Sequence, residues 1–146
     1  MAATRVWTDT IQRRTCPSGF VYWADNGYCY RYFTFLYTFN DADIYCGTLA
    51  AGCKLASIHS IMEEGFVYKV VGTNEVEFWI GLNDIGQEGS WVWTDGSPYV
   101  WSNWDCGEPN NNDGEDCVHS NFALSNRWND TPCDTKYGFV CKVKAT

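Results

Sequence analysis

Hydrophobic and polar positions change rhythm several times along the chain. Residues 27–35 (GYCYRYFTF) are aromatic and β-prone, and they follow Asn26-Gly27, a turn dipeptide, so they predict the second arm of a hairpin. Thr38 followed by Asp41 approximates a capping box and predicts a helix from residue 40 to about 49, with Cys46 on one face. Ser60 with Glu63 is a full capping box and predicts a second helix over 61–71. Between them, residues 53–57 (CKLAS) read as a short strand. The run WIGL at 79–82 precedes a change of texture: Trp91-Val92-Trp93 predicts a strand and Thr94-Asp95-Gly96 a turn. Residues 97–116 are then rich in Gly, Pro, Asn and Asp and carry no apolar period. A loop of that length inside a compact domain is usually functional, so the chemistry is expected there.

Composition narrows the class. A chain of 146 residues, 45% hydrophobic and with 8 Phe, 8 Trp and 9 Tyr, can bury one domain's core, which argues against disorder. No repeat or linker divides it, so one domain is expected over residues 16–146, behind an arm at 1–15. The arm lacks the apolar stretch of a secretion leader, and its Val6, Trp7 and Ile11 make it a candidate subunit contact. No run approaches the roughly 18 apolar residues of a membrane helix. With 10 Lys+Arg against 18 Asp+Glu the net charge is −8, which disfavours nucleic acid and anionic membranes and suits a cation or a neutral polar ligand. The 8 cysteines include no C-x-x-C spacing, and they read as a disulfide framework in an extracellular, secreted protein.

The long loop holds Glu108-Pro109-Asn110, Asn111, Asn112, Asp113 and Gly114-Glu115-Asp116-Cys117, with Trp128-Asn129-Asp130 further on. From charge alone this is as readily a solvated surface as a site. Carboxylates and amides crowded into an irregular loop are nevertheless the oxygen inventory that Ca²⁺ uses. A twelve-residue EF-hand loop is absent, and His59 and His119 have no zinc-ligand spacing, so His59 reads as a helix-start residue and His119 as a residue with no chemical constellation around it. Asn129-Asp130-Thr131 also matches a glycosylation sequon, taken as a chance match because a glycan there would remove a candidate ligand.

In order along the chain, WIGL at 79–82, Trp101 and Trp104, the EPN triplet at 108–110, Gly114-Glu115-Asp116-Cys117, WND at 128–130 and Phe139-Val140-Cys141 resemble the carbohydrate-recognition domain of C-type lectins. The resemblance covers residues 16–141. It implies an α+β fold with two helices, two small antiparallel sheets and a long calcium-binding loop. It implies a principal Ca²⁺ on Glu108, Asn110, Glu115, Asn129 and Asp130, with Pro109 as the family's cis-proline. Two vicinal sugar hydroxyls would complete the ion's coordination, hydrogen-bonded by Glu108, Asn110, Glu115 and Asn129. A second Ca²⁺ is implied at Asp84, Glu88 and Asp116, weakened because Asn111 stands where Asp is frequent.

EPN resembles members that take mannose, glucose, N-acetylglucosamine or fucose, although Tyr99, Trp101 and Trp104 lie close enough in sequence to tilt a sugar toward a galactose-type pose. Trp79, Trp91, Trp93 and Trp128 read as packing residues. The family pattern pairs Cys16 with Cys29, Cys46 with Cys141 and Cys117 with Cys133. Cys53 and Cys106 are left either to pair with each other or to link subunits. The expected protein is an agglutinating or innate-immune lectin, not an enzyme, working as a homo-oligomer. The competing class is a protein-interaction or ice-binding member of the same fold.

Overall fold

The computed structural model describes residues 14–73, 75–110, 114–121 and 125–146. Val6, Trp7, Ile11, Asn111, Asn112 and Asp113 therefore lie outside the described residues. The elements are β1 (Val21–Trp23), β2 (Tyr28–Tyr37), α1 (Phe39–Leu49), β3 (Lys54–Leu55), α2 (Ile61–Val71), β4 (Phe78–Asn83), β5 (Val92–Trp93), β6 (Cys117–Ser120), β7 (Trp128–Thr131) and β8 (Tyr137–Lys144).

Asn26-Gly27 closes the β1–β2 hairpin, where Gly27 takes φ +77° at no steric cost. Both helices start at their predicted caps. The Thr38 hydroxyl accepts the Asp41 N–H at 3.2 Å, so α1 begins at Phe39, one residue early. The Ser60 hydroxyl accepts the Glu63 N–H at 3.1 Å, and Gly72 ends α2 in the left-handed region. The reciprocal half of this box is displaced: Glu63 accepts the N–H of His59, at 2.8 Å, not that of Ser60. Its other oxygen takes the Lys142 ammonium at 2.6 Å in a buried ion pair.

The strands run β1-β2-β8-β4-β6-β7, with β3 on β8 and β5 on β4. The two antiparallel sheets expected from the resemblance are thus joined into one. The joint is a short parallel pairing of Phe78 and Trp79 with Gly138 and Phe139. A Cβ on Gly138 would lie 2.8 Å from the Phe33 carbonyl, so glycine lets β8 approach β2 this closely beside the joint. The glycine of WIGL has the same explanation: a Cβ on Gly81 would lie 2.8 Å from Thr94 Oγ1 and 2.9 Å from the Leu55 carbonyl.

All six residues of β4 are buried, with Trp79 in a cluster around Phe33, Phe39 and Phe139, and Phe78, Ile80 and Leu82 in one around Val67, Trp93 and Trp128. Three disulfides form as expected, Cys16–Cys29, Cys46–Cys141 and Cys117–Cys133, with Cα separations of 5.7, 5.5 and 5.1 Å. A Cys53–Cys106 bridge does not form, which corrects that alternative: Cys53 is 1% exposed among core residues and Cys106 sits on the surface of the long loop. Burial pushes the Cys53 thiol up to about 12, so it is inert as well as inaccessible. Backbone bonds between Thr15 and Thr146 bring the two ends of the domain together.

Candidate functional site

Residues 97–110 have almost no secondary structure of their own, but they are not loose. Their second half is laid along β7. The Trp128 N–H donates to the Asn103 carbonyl and the Asp105 N–H to the Trp128 carbonyl, each at 2.9 Å, and Trp104 bridges Trp128 in parallel. Trp128 itself is fully buried; its indole N–H donates to Glu64 at 2.7 Å, and the rings of Trp93, Trp101 and Trp104 meet its faces edge-on at 5.6–5.9 Å. Trp104 also donates to the Tyr99 hydroxyl at 2.9 Å. Tyr99, Trp101 and Trp104 are therefore half-buried and packed against this cluster.

From this frame the chain turns through Asp105, which accepts the Glu108 N–H, into a cis Glu108–Pro109 bond. Asn110 is then tied to the end of β7 by its N–H, which donates to Asp130 Oδ1 at 3.1 Å, and its amide nitrogen reaches back to Glu108 Oε2 at 3.3 Å. Glu108, Asn110 and Asp130 so converge from two segments 20 residues apart. Glu115 lies close enough to Glu108 to act on its charge. Asn129 and Asp130 pair across β6–β7 with His119 and Val118, and the Cys117–Cys133 disulfide clips the same two strands. At 7% exposure in a paired strand, Asn129 is no glycan acceptor.

A second cluster lies alongside. Carboxylate oxygens of Asp84, Glu88 and Asp116 stand within 4.8 Å of one another. The Asp84 N–H donates to the Asp116 carbonyl, and Asp84 Oδ2 accepts the Gly89 N–H at 2.8 Å.

The electrostatics of both clusters are those of uncompensated anions. Desolvation, then Asp130 and Glu115, push the Glu108 carboxyl up to about 7. Desolvation, then Asp84 and Asp116, push Glu88 up to about 7, and Asp116 is raised by desolvation and by Asp84. Glu108 Oε1, Asn129 Oδ1, Asp84 Oδ1 and Asp116 Oδ1 are buried and meet no hydrogen-bond donor among the described residues. A hard cation satisfies oxygens of this kind, so the residues present fit Ca²⁺.

Behind Asn129 is a network that the sequence did not disclose. His119, 1% exposed, places Nε2 3.1 Å from Asn129 Nδ2 and Nδ1 3.1 Å from Glu77 Oε1, with its ring stacked on Tyr137. This corrects the reading of His119 as a residue without a constellation. Glu77 reaches it only because β4 and β6 pair, and no local spacing announces that contact. Glu64 was missed for the same reason: its partners Asn103, Ser120 and Trp128 come from three other segments.

Clefts are also present away from these residues. One of about 400 Å³ between the β1–β2 turn, the start of α2 and Lys142 is polar, but Glu63 and Lys142 within it already pair with each other.

Residues 36–143 match the family model of the lectin C-type domain. The chain belongs to the C-type lectin domain family. A C-type lectin mannose-binding isoform of Oxyuranus scutellatus is 40% identical over 135 residues, 88% of this chain and 84% of that relative. An α-N-acetylgalactosamine-specific lectin of Patiria pectinifera is 39% identical over 129 residues, 83% of this chain and 77% of the relative. Among solved structures, the cow CD23 C-type carbohydrate-recognition domain in the presence of GlcNAc2Man3 oligosaccharide superposes with a TM-score of 0.81 at 36% identity, covering 92% of this chain and 99% of the other. Its relatives being lectins, this C-type lectin domain groups with carbohydrate-binding proteins and not with catalysts.

Proposed function

We propose that this C-type lectin domain is a secreted, Ca²⁺-dependent glycan-binding module with a mannose-type preference. The observation that carries the reading is the set of buried oxygens on Glu108, Asn129, Asp84 and Asp116 that no donor among the described residues satisfies. Each such group costs about 1–3 kcal/mol or more unless something else compensates it. Glu108, Asn110, Glu115, Asn129 and Asp130 would hold a principal ion, and Asp84, Glu88 and Asp116 a second. When bound, the principal ion supplies open coordination positions for two vicinal hydroxyls. Around them, Glu108 and Glu115 accept the hydroxyl protons while the amides of Asn110 and Asn129 donate. A hydroxyl can both donate and accept, which is why a site mixing Glu with Asn suits it.

The EPN order and the mannose-binding relative support a mannose, glucose, N-acetylglucosamine or fucose ligand. The packing of Tyr99, Trp101 and Trp104, each half-buried, against the Trp128 cluster weighs against their serving as a stacking platform for galactose. Galactose-type binding is the second reading, favoured by the α-N-acetylgalactosamine-specific relative. A shallow site of two hydroxyls binds one sugar weakly, so agglutination or recognition of microbial surfaces would need several sites joined in a homo-oligomer.

A glycan array with and without EDTA tests this. Signals on mannose-type glycans that vanish with EDTA are expected, and calcium-independent signals or none would leave a protein-interaction or ice-binding role instead. Glu108→Ala and Asn110→Ala should fold with unchanged far-UV spectra and lose retention on mannose-agarose. Retention of either variant at wild-type level would place the site elsewhere.

A further inference from the structure

The pairing of His119 with Asn129 across β6–β7 fixes more than strand register. An amide nitrogen cannot accept a hydrogen bond, so the ring nitrogen facing Asn129 Nδ2 at 3.1 Å must present its lone pair. The ring proton then sits on Nδ1, which faces the Glu77 carboxylate at 3.1 Å. Tyr137 stacks on the ring with centroids 4.7 Å apart and planes 11° apart, and the imidazole is 1% exposed, so it has no room to turn. With its nitrogen anchored, the Asn129 amide must aim its oxygen the other way, and that oxygen is buried with no donor among the described residues.

We propose that His119, oriented by Glu77 and Tyr137, is a positioning residue that holds the Asn129 amide with its oxygen toward the calcium ion. The proposal rests on the Ca²⁺ reading above. Without the histidine lone pair, the amide can rotate by 180° and offer NH₂ to a cation, which removes a ligand and adds a repulsion. Groups of this kind behind a ligand typically change metal affinity by roughly 10- to 100-fold.

Calorimetric Ca²⁺ titration of the full chain, wild type against His119→Leu and His119→Gln, separates orientation from packing. Gln can accept from Asn129 and donate to Glu77; Leu fills space and does neither. Affinity is expected to fall at least roughly tenfold in His119→Leu and to recover to within about threefold of wild type in His119→Gln. The Asn129 side-chain amide signals of calcium-free, ¹⁵N-labelled protein give a readout independent of sugar binding. One proton should be shifted and protected in wild type and His119→Gln, and neither in His119→Leu.

Equal calcium affinity in wild type and His119→Leu overturns the proposal, as does a His119→Gln variant as weak as His119→Leu, because shape and not the lone pair would then matter. If His119→Leu does not fold, Glu77→Ala, at a side chain 30% exposed, takes its place, with a severalfold loss expected and unchanged affinity overturning the assignment. A wild type that takes up no Ca²⁺ defeats the underlying reading as well, and the same titration shows it.

Discussion

Adjacent on α2, Glu63 and Glu64 are both buried, yet their carboxylates meet different company. Glu63 has the Lys142 ammonium at 2.6 Å, whereas Glu64 has only neutral donors, Trp128, Asn103 and Ser120. Loss of hydration outweighs those hydrogen bonds and pushes Glu64 up from 4.5 to about 7. Between those two pH values the folded protein keeps a proton on Glu64 that the unfolded chain releases. Stability from this group is therefore complete below about 4.5 and is lost as pH rises through about 7, a change on the order of 3 kcal/mol. Glu64→Gln keeps an acceptor for Trp128 and has nothing to ionise. In EDTA, denaturation at pH 5 and pH 8 should show wild type losing stability relative to Glu64→Gln by roughly 1–3 kcal/mol; parallel pH dependence of the two proteins would mean that Glu64 does not titrate in this window. The sequence disclosed Glu63 as half of a capping box but neither its ion pair nor the burial of Glu64, because their partners lie 79 and 64 residues away.

At the scale of elements, what local chemistry dictates was readable. Asn26-Gly27 closes a hairpin, Thr38 and Ser60 cap helices, and α2 spans the predicted residues, because each signal and its consequence lie within one turn of chain. The long loop was legible as a loop through its lack of period, but its attachment to β7 through Trp128 and Asn103 was not, since irregular backbone carries no register in its sequence. That attachment gives the Cys117–Cys133 bridge a role beyond stability. Cys16–Cys29 and Cys117–Cys133 close loops of 13 and 16 residues and should each contribute about 3 kcal/mol in the chain-entropy picture. Only the second clips the strands that carry Asn129 and Asp130. Replacing Cys117 and Cys133 by Ala should therefore cost similar stability to replacing Cys16 and Cys29, but it alone should weaken Ca²⁺ binding. Urea denaturation and calcium titration of both double variants measure the two effects, and an equal loss of calcium affinity in both would mean that the bridge merely stabilises the fold.

Across the whole molecule, the sequence carried the two halves of the sheet but not the parallel β4–β8 joint, which needs no turn and so has no local signal in the chain. The charge of −8 was legible as a preference for cations, and the structure gathers Glu108, Asp130, Asp84, Glu88 and Asp116 on one side of it. Two bound Ca²⁺ would halve that charge and satisfy the orphaned oxygens. An ion that binds only the folded chain stabilises it by about 2.7 kcal/mol at a hundred times its dissociation constant, on the order of 10 °C in melting temperature for a domain of this size. Calcium should thus raise the melting temperature of EDTA-treated protein by about that much. Mg²⁺, which tolerates fewer protein oxygens and an octahedron only, should do less. An Asp84→Asn/Glu88→Gln double variant should keep most of the rise and its mannose retention while taking up one ion in place of two. Sodium chloride at about 0.15 M screens exposed carboxylates but fills no coordination sphere. If salt alone reproduces the calcium shift, the acidic loop is a solvated surface and the ligand assignments fall together; if only Ca²⁺ produces it, the carboxylates act as ligands.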